Sequence, residues 1–166
     1  MRDVQYWKQR LRLTSHIEGG AFNEIYRAEL VLPLNALTMA HNGDRTAMTS
    51  IYFLLEAGDF SAFHRIASDE LWHFYDGDGA VIYEIKPGGE LVRHLLGIDI
   101  ERGASLQVLI QAGSWFASRV EVTDGFTLCG CTVSPGFDFE DFELADKHQL
   151  TREYPQHAGL IAELTR

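Results

Sequence analysis

Short runs of β-forming residues, separated by glycine-rich turns, follow one another through most of this 166-residue chain. The clearest example is GAVIYEIKPGGELVRHLLG, residues 79–97, where Pro87-Gly88-Gly89 supplies the turn between two strands. Regular spacing of such runs is typical of a β-sandwich or barrel, whereas strands alternating with long helices would indicate βαβ units. We therefore predict an all-β fold.

Helical patterns are confined to the two ends of the chain. Residues 3–11 have apolar side chains at the spacing of one helix face, which predicts a short N-terminal helix. After Pro135 the strand pattern stops, and two short helical segments divided by Pro155 follow. Because no linker, internal repeat or low-complexity segment interrupts the chain, we predict a single domain over residues 1–166.

The charge and the hydropathy of the sequence argue against nucleic acids and membranes as binding partners. The formal net charge is -10 and the basic residues are scattered, so the surface should repel phosphate backbones; we expect no nucleic-acid partner. No apolar run is long enough to cross a bilayer, and we expect no membrane partner. The N-terminal residues lack the apolar core and cleavage site of a signal peptide, which predicts a cytoplasmic location.

The stretch GDFSAFHRIASDELWHFYDGDG, residues 58–79, concentrates histidines, carboxylates and aromatic residues. In a β-strand, residues an even number apart point to the same face. If no bulge intervenes near Ser68-Asp69, one face is shared by His64, Ile66, Glu70, Trp72 and Phe74. We expect His64 and Glu70 to converge inside the barrel, and His73, which has the opposite parity, to point away from them.

The spacing of four residues in this stretch resembles the first signature motif of the cupin superfamily. They are Gly58, His64, Glu70 and Gly77. The superfamily motif has a second histidine where this chain has Ile66. The second cupin motif, Pro-x-Gly-x-x-His, is similar to QAGSWF, in which Gln111 replaces the proline, Gly113 matches and Phe116 stands at the histidine position.

Three further segments extend the resemblance over nearly the whole chain: HIEGG, DELWHFYDG and SPGFDFEDFELA. Together they resemble the cupin_5 group of small single-domain cupins, in which the first segment usually reads HPEGG. The resemblance implies a double-stranded β-helix, a jelly-roll barrel with an internal pocket, here with a short N-terminal helix and short C-terminal helical segments. It also implies a homodimer.

Relatives by fold include metal-dependent oxygenases, isomerases, seed storage proteins and epimerases of nucleotide-linked 4-keto-6-deoxysugars, and the fold does not choose among them. Cupin metals usually take three histidines and a glutamate, but only His64 and Glu70 survive at matching positions. Two protein ligands fall short of catalytic zinc and iron sites. We predict no metal and no other cofactor; these two residues would be ligands only if a metal did bind.

The predicted ligand is a small polar molecule, such as a sugar or a nucleotide-sugar. Its hydrogen-bonding groups are His64, Glu70 and Gln111, and its stacking surfaces are Trp72, Phe74, Phe116 and Tyr26. His16 and Glu18 are expected at the pocket rim, and His73 is expected at the pocket edge or at a dimer interface. For these three, a turn or surface role is an equal alternative. We expect Phe137, Phe139 and Phe142 to pack in the core or at a dimer interface.

Two classes of function are open at this point. A His64–Glu70 pair could act as a general base near neutral pH, which favours a metal-independent sugar isomerase or epimerase, with an unassigned tyrosine as acid. The alternative is a non-enzymatic ligand-binding or sensor protein. A metal-dependent cupin enzyme with an incomplete ligand set is a second alternative. A purely structural role fits poorly, because a carboxylate that faces the barrel interior is costly unless paired or wet.

Overall fold

A computed structural model describes residues 2–38 and 40–166; Met1, the first residue of the predicted domain, lies outside the described residues. The strands are β1 (Thr14–Ser15), β2 (Ala21–Arg27), β3 (Val31–Leu32), β4 (Arg45–Thr46), β5 (Thr49–Glu56), β6 (Phe60–Arg65), β7 (Asp69–Gly77), β8 (Ala80–Ile85), β9 (Leu91–Leu96), β10 (Gln107–Ile110), β11 (Trp115–Val120), β12 (Phe126–Ser134) and β13 (Glu143–Leu144). The α-helices are α1 (Val4–Arg10), α2 (Lys147–Glu153) and α3 (Ala158–Glu163). Short 3₁₀ turns lie at Leu34–Ala36, Ile100–Arg102, Phe139–Asp141 and Pro155–His157.

Two antiparallel sheets face each other and form the barrel. The six-stranded sheet has the order β1-β2-β5-β12-β7-β10, and the five-stranded sheet has the order β13-β6-β11-β8-β9; β3 and β4 form a separate ribbon. Most neighbours within a sheet, such as β5 and β12 or β6 and β11, are far apart in sequence, which is the arrangement of a double-stranded β-helix. The predicted all-β jelly roll with an N-terminal helix and C-terminal helices is therefore confirmed, and so is the hairpin, as β8 and β9.

Apolar side chains fill one end of the barrel. Trp72, Ile82, Leu96, Val120 and their neighbours are buried there as one cluster between the sheets. The burial of this apolar surface is the main driving force for closing the two sheets. The opposite end of the barrel is not filled in this way, and the candidate site lies there.

Helices cover the outside of the five-stranded sheet. Leu150 of α2 and Ile161 of α3 pack on outward-facing side chains such as Phe63 and Trp115. This explains why every residue of β8 is buried: one face of the strand points into the barrel and the other lies under the helices. Among residues 2–38 and 40–166, no helix is long and apolar enough to cross a membrane.

Helix α1 covers one end of the outer face of the six-stranded sheet. It begins at Asp3, whose side chain accepts a hydrogen bond from the backbone N–H of Tyr6. The indole N–H of Trp7 donates to Asp76 of β7 at 3.0 Å. The middle of this outer face has no such cover.

Candidate functional site

A cavity of about 220 Å³ opens at the end of the barrel that the packed apolar side chains do not fill. Its walls come from β2, β5, β6, β7 and β12 and from the segment that follows β12. The polar and ionisable side chains that line it are His16, Glu18, Glu24, Arg27, Thr49, His64, Glu70, Cys131 and Asp138. The apolar side chains that line it are Phe22, Ile51, Phe53, Ile66, Val133, Phe137, Phe139 and Phe142.

Two glutamates and a histidine form a buried acid–base cluster in the cavity wall. Glu18, His64 and Glu70 are only 7%, 3% and 7% exposed. Nε2 of His64 lies 3.2 Å from Oε2 of Glu18, and its Nδ1 donates to the carbonyl oxygen of Ala62 at 2.7 Å. Because Nδ1 holds the hydrogen, Nε2 of the neutral imidazole carries a lone pair that faces the Glu18 carboxyl group. One proton can therefore lie on either partner of this pair.

Glu18 reaches the barrel interior through the turn that the HIEGG segment forms. The N–H of Gly19 donates to His16, and the N–H of His16 donates to Gly20, which closes the turn. Gly20 has φ of +70°, and an added Cβ there would lie 2.8 Å from the ring of Phe53. The glycine is thus required both by the backbone conformation and by the close approach to the sheet.

The same turn is held against β6. The N–H of Ala62 donates to the carbonyl oxygen of Glu18 at 2.8 Å, and the guanidinium of Arg166 donates to that oxygen at 3.3 Å. The hydroxyl of Ser61 donates to Oε1 of Glu18 at 2.9 Å. These bonds fix both the backbone and one carboxyl oxygen of Glu18.

A β-bulge in β6 makes this arrangement possible. Opposite Phe116 and Ser118 of β11, which are two residues apart, lie His64 and Ser61, which are three residues apart. The extra residue in β6 lets both Ser61 and His64 face the barrel interior, although their numbers differ in parity. Glu18 therefore meets a hydroxyl and an imidazole from the same strand.

Burial dominates the protonation of these groups. It raises the pKa of Glu18 to about 7, against the opposing effects of His16 and the hydrogen bond from Ser61. It also raises the pKa of Glu70 to about 7; there His64 opposes the shift and Glu18 adds to it. The pKa of His64 is lowered by burial, which outweighs the attraction of Glu70 and the bond to Ala62. Near neutral pH, the site can therefore accept and release protons.

His16 and Cys131 complete the ionisable surroundings of the two carboxyl groups. Nδ1 of His16 lies 3.4 Å from Oε2 of Glu18 and accepts the backbone N–H of Glu18 at 3.3 Å. Burial lowers the pKa of His16, with Glu18 opposing this shift. Burial also raises the pKa of the Cys131 thiol well above its usual value, so the thiol stays neutral.

A phenylalanine-rich wall closes the outer side of the cavity. Phe137, Phe139 and Phe142 contact one another edge to face, with ring centroids 5.0–6.1 Å apart. The ring of Phe142 is stacked 5.4 Å from that of His64. This wall follows β12 directly and includes the 3₁₀ turn at Phe139–Asp141.

Arg45 holds the wall in place. Its Nε and Nη2 donate to the two carboxyl oxygens of Asp141, each at 2.7 Å. Both side chains are only 4% exposed, so this is a buried bidentate ion pair. It ties the short ribbon of β3 and β4 to the turn that carries Phe139.

The structure places the ten predicted site residues in three groups. His16, Glu18, His64 and Glu70 line the cavity. The carboxyl oxygen nearest to Nε2 of His64 is Oε2 of Glu18, at 3.2 Å, and the charge of Glu70 also acts on His64. The predicted convergence of His64 and Glu70 inside the barrel agrees with the structure, and the HIEGG turn adds a second carboxyl group, that of Glu18, next to His64.

Trp72, Phe74 and Phe116, predicted as stacking surfaces, do not line the cavity. They face inward as expected, but they pack in or against the hydrocarbon end of the barrel. Trp72 contacts Phe53 edge to face at 5.6 Å, and Phe116 lies beneath the His64 ring at 4.1 Å. Whether a residue number is odd or even along a strand decides which face of the sheet its side chain points to. Its position along the strand decides whether that side chain lies in the cavity or in the packed core.

The other three predicted residues lie outside the barrel. Gln111 is exposed in the turn before β11, and Tyr26 is 49% exposed on the outer face of the six-stranded sheet. His73 is on that same outer face, where Nε2 contacts the Thr132 hydroxyl at 3.2 Å and Nδ1 contacts Gln107 at 3.1 Å. The prediction that His73 points to the opposite side of the sheet from His64 thus agrees with the structure. The prediction that His73 lies at the pocket edge does not.

Sequence reasoning missed most of the aromatic wall. Phe22 carries no motif; of the three phenylalanines expected in the core or at an interface, Phe137 and Phe142 do pack against the core, but their position on the cavity wall was not predicted. Their close spacing in FDFEDF was the available signal, but nothing in it shows which side of the barrel the segment crosses. Arg27 and Glu24, at the cavity mouth, also carried no motif.

The donor set does not fit the metal that many cupins hold. Two of the four superfamily ligand positions carry Ile66 and Phe116, which have no lone pairs to offer. Of the remaining two, His64 already directs Nε2 at a carboxyl group of the protein. Over the described ranges, no three side chains of the metal-binding types are grouped so that they could hold an ion. We therefore derive no chemical step through a metal.

Comparisons with known proteins agree with this architecture. A crystal structure of a protein from Shewanella oneidensis is 40% identical, with a TM-score of 0.90, over 100% of this chain and 99% of that one. A hypothetical protein from Leishmania major is 34% identical, with a TM-score of 0.89, over 98% of each chain. A search of curated proteins finds no match.

More distant structures share the fold alone. A cupin 2 domain-containing protein from Halorhodospira halophila is 16% identical, with a TM-score of 0.56, over 92% of this chain and 87% of that one. Oxalate decarboxylase from Bacillus subtilis is 11% identical, with a TM-score of 0.54, over 90% of this chain and 36% of that one. The family described as Cupin superfamily (DUF985), Cupin_5, matches residues 5–145. The chain therefore belongs to the Cupin_5 family of the cupin superfamily.

Proposed function

We propose that the chain binds a small polar molecule in the barrel cavity and transfers a proton on it without a metal, as a sugar isomerase or epimerase does. One observation carries the proposal: Glu18, His64 and Glu70 are buried together on the wall of a single cavity. Buried ionisable groups without a fully compensating charge are costly for folding, and such groups concentrate at functional sites.

The chemistry would be an exchange of a proton at a carbon beside a carbonyl group. His64 and Glu18 act as one base: the ionised Glu18 carboxylate takes the proton when the C–H bond breaks, and the Nε2 lone pair of neutral His64, 3.2 Å away, can accept that proton from it. Glu70, with a pKa of about 7, is present in its protonated form in a large fraction of molecules at neutral pH. It can return a proton to the enolate, and the two groups then exchange roles or re-equilibrate with water.

The size of the cavity limits the ligand. Pockets for drug-sized molecules measure roughly 300–1,000 Å³, whereas this one measures about 220 Å³. A single sugar ring suits such a volume better than a whole nucleotide-sugar, whose nucleotide would have to lie outside the mouth. We therefore place monosaccharides and small hydroxy-carbonyl compounds first among the candidates.

The test combines binding with isotope exchange. Monosaccharides and sugar phosphates are first screened by thermal shift, and binders are incubated with the protein in D₂O while the C–H signal beside the carbonyl is followed by NMR. We expect exchange that the His64→Gln variant loses and that His148→Gln retains, because His148 is exposed on α2. Exchange that persists in His64→Gln would contradict the assignment of the base.

A non-enzymatic binding or sensor protein is the second candidate. The apolar side chains Ile66 and Phe116 at two superfamily ligand positions favour it, because they remove the metal chemistry of many cupins while leaving a cavity. The same experiment separates the two functions. Binding without exchange would support the sensor and overturn the isomerase, whereas exchange dependent on His64 would support the isomerase.

We also propose that two copies of the chain associate through the outer face of the six-stranded sheet. Two cross-strand rows run over the uncovered middle of this face: Asn23, Tyr52, Gly130, His73, Gln107 and Tyr26, Ser50, Thr132, Leu71, Leu109. None of these ten residues carries a carboxylate, an amine or a guanidinium, although the chain has a net charge of -10. Elsewhere on the surface, two such acidic copies would repel each other.

Light scattering after size exclusion tests this association. We expect a dimer for the wild-type chain and a monomer for Leu109→Glu, because Leu109 is 48% exposed on that face. Val122→Glu is the matched control: Val122 is 41% exposed in the turn between β11 and β12, away from the face. A wild-type monomer at micromolar concentrations would contradict the proposal.

A further inference from the structure

We propose that the ligand of the barrel cavity carries a cationic nitrogen, such as a protonated amine, and not an anionic group. This inference rests on the proposed binding function and narrows its ligands, from monosaccharides and hydroxy-carbonyl compounds in general, to those that also carry an amino group. It follows from the charges, the hydrogen bonds and the aromatic rings that line the cavity.

Acidic groups outnumber basic ones around the cavity. The carboxyl groups of four lining residues face one guanidinium, that of Arg27; they belong to Glu18, Glu24, Glu70 and Asp138. Arg27 is already engaged, because its Nε and Nη2 donate to the two carboxyl oxygens of Glu24 at 3.0 and 2.7 Å, and its Nη1 donates to the carbonyl oxygen of Phe137 at 3.2 Å. On the described lining, an incoming phosphate or carboxylate would thus find no uncommitted permanent cation.

The imidazoles do not supply the missing positive charge. Burial lowers the pKa of His16 and of His64, so both are mainly neutral at pH 7. Burial holds the pKa of Glu18 and of Glu70 near 7, and the neutral Cys131 thiol beside Glu70 adds no positive charge. The two inner carboxyl groups thus lack a permanent counter-charge. A cationic nitrogen between them would favour their ionised form and form charge-assisted hydrogen bonds.

The aromatic wall suits the same ligand. Phe139 and Phe142 stand beside the His16 ring at centroid distances of 6.3 and 6.1 Å, and Phe22 contacts it edge to face at 4.6 Å. Phenylalanine faces attract cations, most strongly where water is excluded. They offer an anion no comparable attraction. A cavity with an acidic floor and phenylalanine walls therefore selects for a cation.

This arrangement links binding to pH. Below about pH 7 the inner carboxyl groups are largely protonated, and a cation must displace a proton to obtain its counter-charge. The affinity for a cation should therefore rise by up to about tenfold per pH unit for each carboxyl that ionises and level off above pH 7. The affinity for an anion should change in the opposite direction. A neutral ligand should respond little.

Three probes of matched size test the charge preference: benzylammonium, benzyl alcohol and benzoate. Their binding is measured by titration calorimetry and by ¹⁵N NMR between pH 5.5 and 8. The benzylammonium nitrogen stays protonated over this range. We expect benzylammonium to bind most tightly at pH 8 and benzoate least tightly, with proton release on benzylammonium binding at pH 6.5 in buffers of different ionisation enthalpy.

Variants locate the effect in the cavity. Glu18→Gln and Glu70→Gln should each weaken benzylammonium binding at pH 8 by about tenfold or more, while benzyl alcohol is nearly unaffected. Glu90→Gln is the matched control, since Glu90 is exposed beside Lys86 on the hairpin of β8 and β9. If a glutamine variant fails to fold, the pH dependence and proton release of the wild-type chain still decide the question.

The possible outcomes separate the ligand class from the proposed function. If benzoate or benzyl alcohol binds as tightly as benzylammonium at pH 8, the cationic class is overturned and the cavity remains a binding site. If none of the three probes binds at millimolar concentration, the inference is overturned as well, and the proposed function stands or falls on the separate sugar-exchange experiment. Only the full order of affinities, with its pH dependence, supports the cationic class.

Discussion

Replacing Glu70 by glutamine should stabilise the protein increasingly as the pH rises. Burial raises the pKa of Glu70 from the usual 4.5 to about 7 in the folded state. The folded protein therefore holds this proton more tightly than the unfolded chain does, and the resulting stability, complete below about pH 4.5, is lost as the pH rises through 7. At 1.36 kcal/mol for each factor of ten in proton affinity, the loss is about 3 kcal/mol.

Glutamine keeps the shape of the side chain but cannot ionise, so the variant should escape this loss. Relative to the wild-type chain, we expect a gain in the free energy of unfolding below about 1 kcal/mol at pH 5 and of about 3 kcal/mol at pH 8. For a domain of this size, the gain at pH 8 corresponds to a rise in Tm of roughly 6–12 °C. Titrating groups remote from Glu70 contribute equally to both proteins and cancel in the difference, whereas His64, Glu18 and Cys131 interact with Glu70 and do not cancel completely.

Urea unfolding followed by tryptophan fluorescence provides the measurement, because Trp72 and Trp115 are both buried. The experiment compares the wild-type chain, Glu70→Gln and the exposed control Glu90→Gln at half-unit steps from pH 5 to pH 8. The control should track the wild-type chain throughout. A constant difference between Glu70→Gln and the wild-type chain over this range, or a variant less stable at pH 8, would refute the view that an uncompensated carboxyl group lies in the barrel.

Two further predictions concern the residues around the site. The double variant Ile66→His, Phe116→His should bind Co²⁺, because it adds two nitrogen donors to His64 and Glu70, and the bound ion should show the absorption bands of nitrogen and oxygen ligation. Equal Co²⁺ binding by the wild-type chain would contradict the conclusion that its donor set does not fit a metal. Arg45→Met should lower the free energy of unfolding by about 3–5 kcal/mol, because it leaves the Asp141 carboxylate buried without its partner. Adding Asp141→Asn should recover part of that loss, and a double-mutant cycle with no recovery would disprove the coupling.

Much of the candidate site was accessible from strand periodicity. Parity within residues 58–79 correctly placed His64 and Glu70 inside the barrel and His73 outside it. The same rule placed Trp72 on the inner face, but it could not show that this residue lies at the filled end. The distance along a barrel axis depends on how all strands are staggered, and one strand's pattern does not contain that information.

Contacts between distant segments could not be predicted in the same way. Glu18 approaches His64, 46 positions later, because a glycine turn crosses β6 and a bulge in that strand turns Ser61 inward. The unusual protonation of both carboxyl groups follows from burial, which is a property of the assembled barrel. The composition alone would place a glutamate at the surface.

The local pattern of the sequence by itself determined the strands, the β8–β9 hairpin and the all-β class, and the resemblance to the cupin motifs added the loss of two metal-ligand positions at Ile66 and Phe116. These features depend on residue type and on neighbours along the chain. Only the tertiary structure decided that Glu18 is the close partner of His64, that Phe137, Phe139 and Phe142 form a cavity wall, and that one barrel end stays open. Those outcomes depend on which segments meet across the two sheets, and that is set by packing and register over the whole chain.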